Sequence, residues 1–433
     1  MRIQALIPSA LAVALCLSAG AQAKPAPLTL AQALRQARAN SPVFAAAVSA
    51  AGVAKAAVTQ ARAGLLPGLD FNNSYIYTQG SRYIANNGVH EYLSQGSVLE
   101  SVNFGSAAGL HQAQAAAAVA KASEQIAARG LDATVTADYY TLLAAGHELT
   151  TAQQVLADAE KYYRISQELE QGGEVAHSDV IKAELEVATR RQGVSEARLA
   201  GEKARLALAV LLYPDFNQQF TLVDDLNQPP PLPALSRLQA LAHAHNPAVA
   251  AASEDLRAAQ AGVAVARAGL LPGLTLAYTY GLDAAAFALR EPPDLGPGLP
   301  SGQPTLGSSA TATLDIPLFH WGARRATLQQ SQFVVQKAAS QLRYVRRAFA
   351  ADLVGTYDEA STANRELTTL AHSRQLAAES LRLSALRYRD GEATIVELVD
   401  AENANAAARD AYDAGLVRYR VALAQLQTLS GPF

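Results

Sequence analysis

The residues best suited to chemistry are spread too thinly to perform it. Eight histidines stand at positions 90, 111, 147, 177, 243, 245, 320 and 372, and only His243 and His245 are close together. That pair falls at a helix end just before Pro247, where a surface position explains it more simply than a metal site. Gly105 and Gly109 could open a phosphate loop, but the Lys and Ser/Thr that should follow are missing. There is no nucleophile elbow and no HExxH pattern. Phe319 and Trp321, with Tyr344 and Tyr357 further along, could be taken for an aromatic ligand cage. An aromatic girdle at a membrane boundary accounts for Phe319 and Trp321 more simply. The expectation is a protein that is not an enzyme and carries no cofactor or metal.

Composition narrows the class further. The chain has 433 residues, 50% hydrophobic, 17% charged and 6% aromatic, with a formal net charge of −3. Alanine fills about one position in five, which favours long, closely packed helices over a large aromatic core. The near-neutral charge gives no support to a nucleic-acid surface, and the apolar fraction argues against disorder.

Residues 1–23 read as a cleaved secretory signal: Arg2 gives the positive start, Ile7 to Leu17 the apolar core, and Ala21-Gln22-Ala23 the small-residue cleavage site. Cys16, the one cysteine, lies inside this segment, so no disulfide framework is available. Acylation at Cys16 is the alternative fate, and the bulky Leu15 before it argues against that. Beyond the signal no run of 18 apolar residues occurs, so no transmembrane helix is expected.

The chain also repeats itself. Residues 42–69 align without gaps to 247–274 with 16 identities in 28 positions, including ARAGLLPGL in both. Arg164, Ser166, Gly173, Glu174, Ala183 and Glu184 correspond to Arg382, Ser384, Gly391, Glu392, Ala401 and Glu402. The division expected is a first repeat over 24–213, a Pro-rich connector over 214–234 and a second repeat over 235–433. Each repeat reads as helix, strand, loop, strand, very long helix, turn, long helix. A first helix at 28–65 should break at Pro42.

Phe71, Tyr75 and Tyr77 alternate with polar residues, as do Leu276, Tyr278 and Tyr280, and Leu314 and Ile316, the signature of strands with one apolar face. Strands are thus expected near 70–79, 96–104, 274–280 and 310–318, the second by its place in the repeat. The helical runs 106–171 and 323–389 would each reach about 100 Å. Val135, Leu142, Leu149, Leu156 and Tyr163 recur every seven residues, with Ala145, Ala152 and Ala159 as the second seam. Helices over 175–213 and 393–430 return after Gly173 and Gly391. Four strands cannot close a barrel, and open edges do not survive in lipid. If they span a membrane, several chains must pool them, and three copies would give twelve strands. Residues 80–94 and 281–307 suit long external loops.

The order of elements, the duplication and the stretch YRDGEATIVELVDAENANAAARDAY at 388–412 closely resemble the TolC family of outer-membrane efflux proteins. Ala-x-Ala-x-Leu-Leu-Pro in both repeats, Phe319-x-x-Gly322 and the Gly391 turn are the most specific parts. The resemblance covers essentially all of 28–431. It implies a mixed α and β membrane protein: a homotrimer with a 12-stranded outer-membrane β-barrel above a long antiparallel α-helical coiled-coil barrel in the periplasm. It implies docking to a periplasmic adaptor and an inner-membrane transporter, in a tripartite efflux system whose substrate passes through passively. The same fold serving type I protein secretion is the runner-up, and a structural periplasmic coiled-coil protein is the alternative of another class.

The resemblance also places a gate at the hairpin turns of Gly173 and Gly391. It puts Glu397 and Asp400 on ring-forming acidic positions, Asp179 in the first repeat's turn, and Tyr388 on a tyrosine that holds neighbouring hairpins together. Threefold repetition of Glu397 and Asp400 would favour cations, with polyvalent cations as blockers. Ala393 stands where an arginine is usual, which leaves Asp179 without its expected partner. Acidic residues near a helix start are also ordinary.

Overall fold

The computed structural model describes residues 27–77, 90–284, 289–290 and 304–433. The signal segment with Cys16 and most of both expected external loops lie outside these residues. Twelve elements follow in order: α1 (Leu30–Asn40), α2 (Pro42–Ala63), β1 (Gly68–Tyr77), β2 (His90–Val102), α3 (Phe104–Gln171), α4 (His177–Leu212), α5 (Leu235–His245), α6 (Pro247–Ala268), β3 (Gly273–Ala284), β4 (Leu306–Asp315), α7 (Ala323–Arg389) and α8 (Ile395–Ser430). The second six match the first six in kind, and the helices match almost residue for residue in length.

Local sequence explains the breaks. Pro42 and Pro247 each occupy the first helical turn, and the residues before them, Ser41 and Asn246, cap α2 and α6 with their side chains. The break expected at Pro42 within 28–65 thus divides that stretch into α1 and α2. One described helix, α2, is long and apolar enough to cross a membrane by length and composition, with a mean hydropathy of 1.5. It gains this from alanine and lies along α3, while its counterpart α6 carries Glu254, Asp255 and Arg257.

The strands form one antiparallel sheet in the order β1-β2-β3-β4. Its register, with Phe71 opposite Gly96, Gly96 opposite Tyr280 and Tyr280 opposite Ser308, fixes the faces by alternation. At Gly281 the chains of β2 and β3 run so close that a Cβ would overlap the Ser94 carbonyl and lie 2.5 Å from Gln95 Cα. Three strands depart from their expected bounds, and β3 runs on to Ala284, into the stretch expected as an external loop. β2 begins at His90, and β4 runs from Leu306 to Asp315, so Ile316 lies beyond its end. Pro317 follows directly, and proline cannot donate to a ladder.

At about 1.5 Å per residue, the 68 residues of α3 and 67 of α7 each extend about 100 Å. Away from its middle, α3 buries mostly small residues: Ala108, Ala115 and Ala122 recur every seven, and Ala145, Ala159 and Ser166 stand fourteen and seven apart, while Val135 of the expected series is fully buried at mid-length. Leu142, Leu149, Leu156 and Tyr163 stay half-exposed. Toward both ends of α3 alanine thus forms most of the inner seam, and this lets the helix axes close up.

Midway along, two larger cores brace the bundle. Tyr139, Tyr140, Leu208, Leu212, Leu226 and Leu416 join α1, α3, α4, α8 and the connector. Leu238, Phe349, Leu353, Tyr419, Leu423 and Leu426 join α5, α7 and α8. The connector is strapped down by polar groups: Tyr139 Oη lies 2.7 Å from the Val223 carbonyl, and Tyr419 Oη donates to the Pro230 carbonyl at 2.9 Å. Arg420, stacked 4.7 Å from the Tyr140 ring centre, donates to the carbonyls of Asp225 and Gln228.

His147 completes the strap, with Nε2 2.7 Å from Asp224 of the connector and Nδ1 3.0 Å from Asp413 of α8. Burial lowers the pKa of His147, but the bonds and charges of the two carboxylates outweigh it and leave it above the ordinary 6.5. The clamp's contribution is therefore full below pH 6.5 and is lost as pH rises through the raised value. His147→Ala should lower stability by about 1–2 kcal/mol at pH 6 and by less at pH 9. Limited proteolysis of the connector at the two pH values reads both effects.

Candidate functional site

The two hairpin tips end in the same device. Gly173 and Gly391 hold φ of 79° and 74°, a left-handed conformation that glycine adopts freely. The Glu174 N–H donates to the Leu169 carbonyl at 2.9 Å and the Glu392 N–H to the Arg387 carbonyl at 2.8 Å, which closes each long helix with a Schellman bond. The chain then reverses into α4 and α8. Thr394 caps α8 by accepting from the Glu397 N–H at 3.2 Å.

Tyr388 joins the tips. It is 3% exposed, and its hydroxyl lies 2.5 Å from Oγ of the buried Ser166 on α3. The Tyr162 ring meets it edge-on at 6.1 Å. Ala183, Ile395 and Leu398 pack around it, with Ala393 at the margin. Burial raises the Tyr388 pKa and the charge of Asp179 adds to the rise, while the Ser166 bond partly offsets them. The hydroxyl thus stays protonated, free to bridge the hairpins.

The acidic residues divide. Glu397 is half-exposed and paired to Arg387 at 3.3 Å. Arg387 also donates to the Glu392 carbonyl. Asp400 is exposed and has no partner among the described residues. Asp179 pairs with Lys182 at 3.0 Å on its own helix. The structure therefore brings Tyr388 together with the α3 hairpin and sets Glu397 and Asp400 on the outer turns of α8. It does not join Asp179 to the second hairpin by an ion pair. Sequence reasoning missed Arg387, because its partner Glu397 lies across the turn, ten residues on. It also missed Glu402, whose burial depends on α3 and α4.

At the other end, register gathers Phe71, Tyr75, Tyr77, Leu276, Tyr278, Tyr280 and Leu314 on one face of the sheet. Most are strongly exposed. The opposite face carries Asp70, Asn72, Ser74, Thr275, Thr279, Thr311 and Thr313. Glu100 is the one carboxylate on the apolar face among the described residues, two positions before β2 ends. Phe319 and Trp321 touch edge-on at 5.0 Å where β4 leads into α7, 70% and 90% exposed. Trp321 at φ 50° and Gly322 at φ 85° make that corner. Among the described residues no three His, Cys, Asp or Glu side chains stand close enough to hold a metal.

Comparison with known proteins agrees with this geometry. The family model described as outer membrane efflux protein matches residues 33–212 and 238–432. The pyoverdine export outer membrane protein OpmQ of Pseudomonas putida is 26% identical over 297 residues, 68% of this chain and 59% of that protein. The matches span between 36% and 59% of the lengths of the curated relatives. The open-state MtrE outer membrane channel of Neisseria gonorrhoeae superposes with a TM-score of 0.75 at 21% identity, covering 93% of this chain and 88% of that one. The outer membrane protein VceC of Vibrio cholerae gives 0.77 at 17% identity, covering 93% and 96%. These likenesses establish the fold. Matched by the family pattern across both of its halves, the chain belongs to the outer membrane efflux protein family, the TolC-type channels.

Proposed function

We propose that the protein is the outer-membrane channel of a tripartite efflux system: a passive homotrimeric conduit, fed by a periplasmic adaptor and an inner-membrane transporter and gated at its hairpin tips. One observation carries this reading. A four-stranded sheet has an apolar face, a polar face and two unpaired edges, and it stands at one end of helices about 100 Å long. Three copies would pool twelve strands into a closed barrel with no edge left in lipid. The apolar face would meet lipid through Phe71, Tyr75, Tyr77, Leu276, Tyr278, Tyr280 and Leu314. Phe319 and Trp321 would lie at the periplasmic boundary of the outer membrane as an aromatic girdle. Efflux is favoured over protein secretion because the OpmQ relative is named for pyoverdine export.

At the periplasmic end, Tyr388 would latch the second hairpin to Ser166 of the first, and Asp400 would supply the unpaired charge of the mouth. Arg387 offsets Glu397 in part, so the mouth is less negative than six free carboxylates would make it.

In planar bilayers, replacing Glu397 and Asp400 together with Ala should lower cation preference roughly twofold to fivefold, the factor that 0.5–1 kcal/mol of lost attraction gives. Unchanged selectivity in the double variant, or no conductance from the wild type, contradicts the reading. Tyr388→Phe removes a bond worth about 1 kcal/mol and should raise the open fraction about fivefold in single-channel records.

A further inference from the structure

Glu402 is a carboxylate that the gate described above does not use. It lies on α8, eleven residues past the Gly391 turn, and is 2% exposed with neither oxygen hydrogen-bonded. One turn on, Asn405 is 7% exposed and its Oδ1 is likewise unpartnered. An ionised, unpaired carboxylate in such a place is strongly disfavoured. The groups around it deepen the problem. From α3, Asp158 repels its charge, and Tyr162, whose own pKa burial and then the charge of Glu402 push up to about 12, makes no hydrogen bond to it. From α4, Glu186 repels it and Arg190 attracts it. Arg190 is already committed, at 2.5 Å to Glu186 and at 2.5 Å to Oδ1 of Asn403. On α7 at the same level, Glu379 and Arg382 are exposed and paired to each other at 2.7 Å. The matching residue of the first repeat, Glu184, is exposed, so only the second hairpin carries this feature.

We propose that Glu402 is a proton-operated latch on the gate hairpin: neutral, it lets the first three turns of α8 seat against α3 and α4, and charged, it unseats them. Burial, then the nearby carboxylates, raise its pKa from 4.5 to about 7. A group whose folded pKa is raised stabilises the seated form fully below the unfolded value and loses that effect as pH rises through the folded one. The opening constant of this seam therefore rises up to tenfold per pH unit between pH 4.5 and about 7, then levels off. Because α8 carries Glu397 and Asp400 within the same turns, the latch biases the tip toward closure in acid. That last consequence rests on the channel reading; the latch itself does not.

The test is hydrogen exchange of the purified full chain in detergent, followed over residues 395–405 from pH 5 to 8 and corrected for intrinsic rates. Wild type should show opening that climbs steeply to about pH 7 and then flattens. Glu402→Gln, which keeps the shape of the neutral acid, should stay protected throughout. Asp158→Asn should move the plateau to lower pH and Arg190→Gln to higher pH. A flat wild-type profile, or the wild-type slope persisting in Glu402→Gln, overturns the latch. Exchange reads the seam whether or not the protein conducts, so failure of the latch and failure of the channel reading remain separate results.

Discussion

The backbone groups that β1 and β4 leave unpaired set the terms for the rest of the molecule. A sheet of four strands has two edges, and edges seek partners. The sheet also turns most of its large apolar side chains to one face and its strand Thr and Asp to the other, so the two faces want different surroundings. A closed barrel shared among copies satisfies the edges and the two faces at once. In that arrangement both edges of every chain would be completed by neighbours.

The helices obey a related economy of space. Away from its middle, α3 buries mostly small side chains, Ala108, Ala115, Ala122, Ala145, Ala159 and Ser166, which lose little entropy and let axes approach closely. Larger side chains are saved for the mid-length girdle, where Tyr139, Tyr140, Tyr419 and Arg420 bind the connector. The bundle thus has a middle braced by two large cores and a tip part gathered round the smaller cluster of Ala183, Tyr388, Ile395 and Leu398. Tyr388 with Ser166, and Glu402 in its unpaired pocket, belong to the second part.

Much of this was legible in sequence. Alternation at Leu276, Tyr278 and Tyr280 named the apolar face, and the register gathers the matching residues of the other strands beside them. Pro42 and Pro247 marked the helix breaks, and Gly173 and Gly391 the turns. What escaped depends on partners far along the chain. The Leu142–Leu149–Leu156 series has the right period, yet it sits half-exposed, because the alanines at the next seam position face the neighbouring helices. Ile316 continues an alternating pattern past Asp315, but Pro317 stops the ladder. Glu402 and Glu184 are equivalent in the repeat and opposite in burial, a difference that no local pattern records. Arg387 answers the missing arginine at Ala393 from the other side of the turn, by pairing Glu397 and not Asp179.

Native mass of the membrane-extracted protein tests the pooled sheet most directly. The account predicts an outer-membrane particle that needs detergent to stay in solution and contains three chains. A water-soluble monomer or dimer recovered from the periplasm would contradict it and return the chain to a structural coiled-coil role.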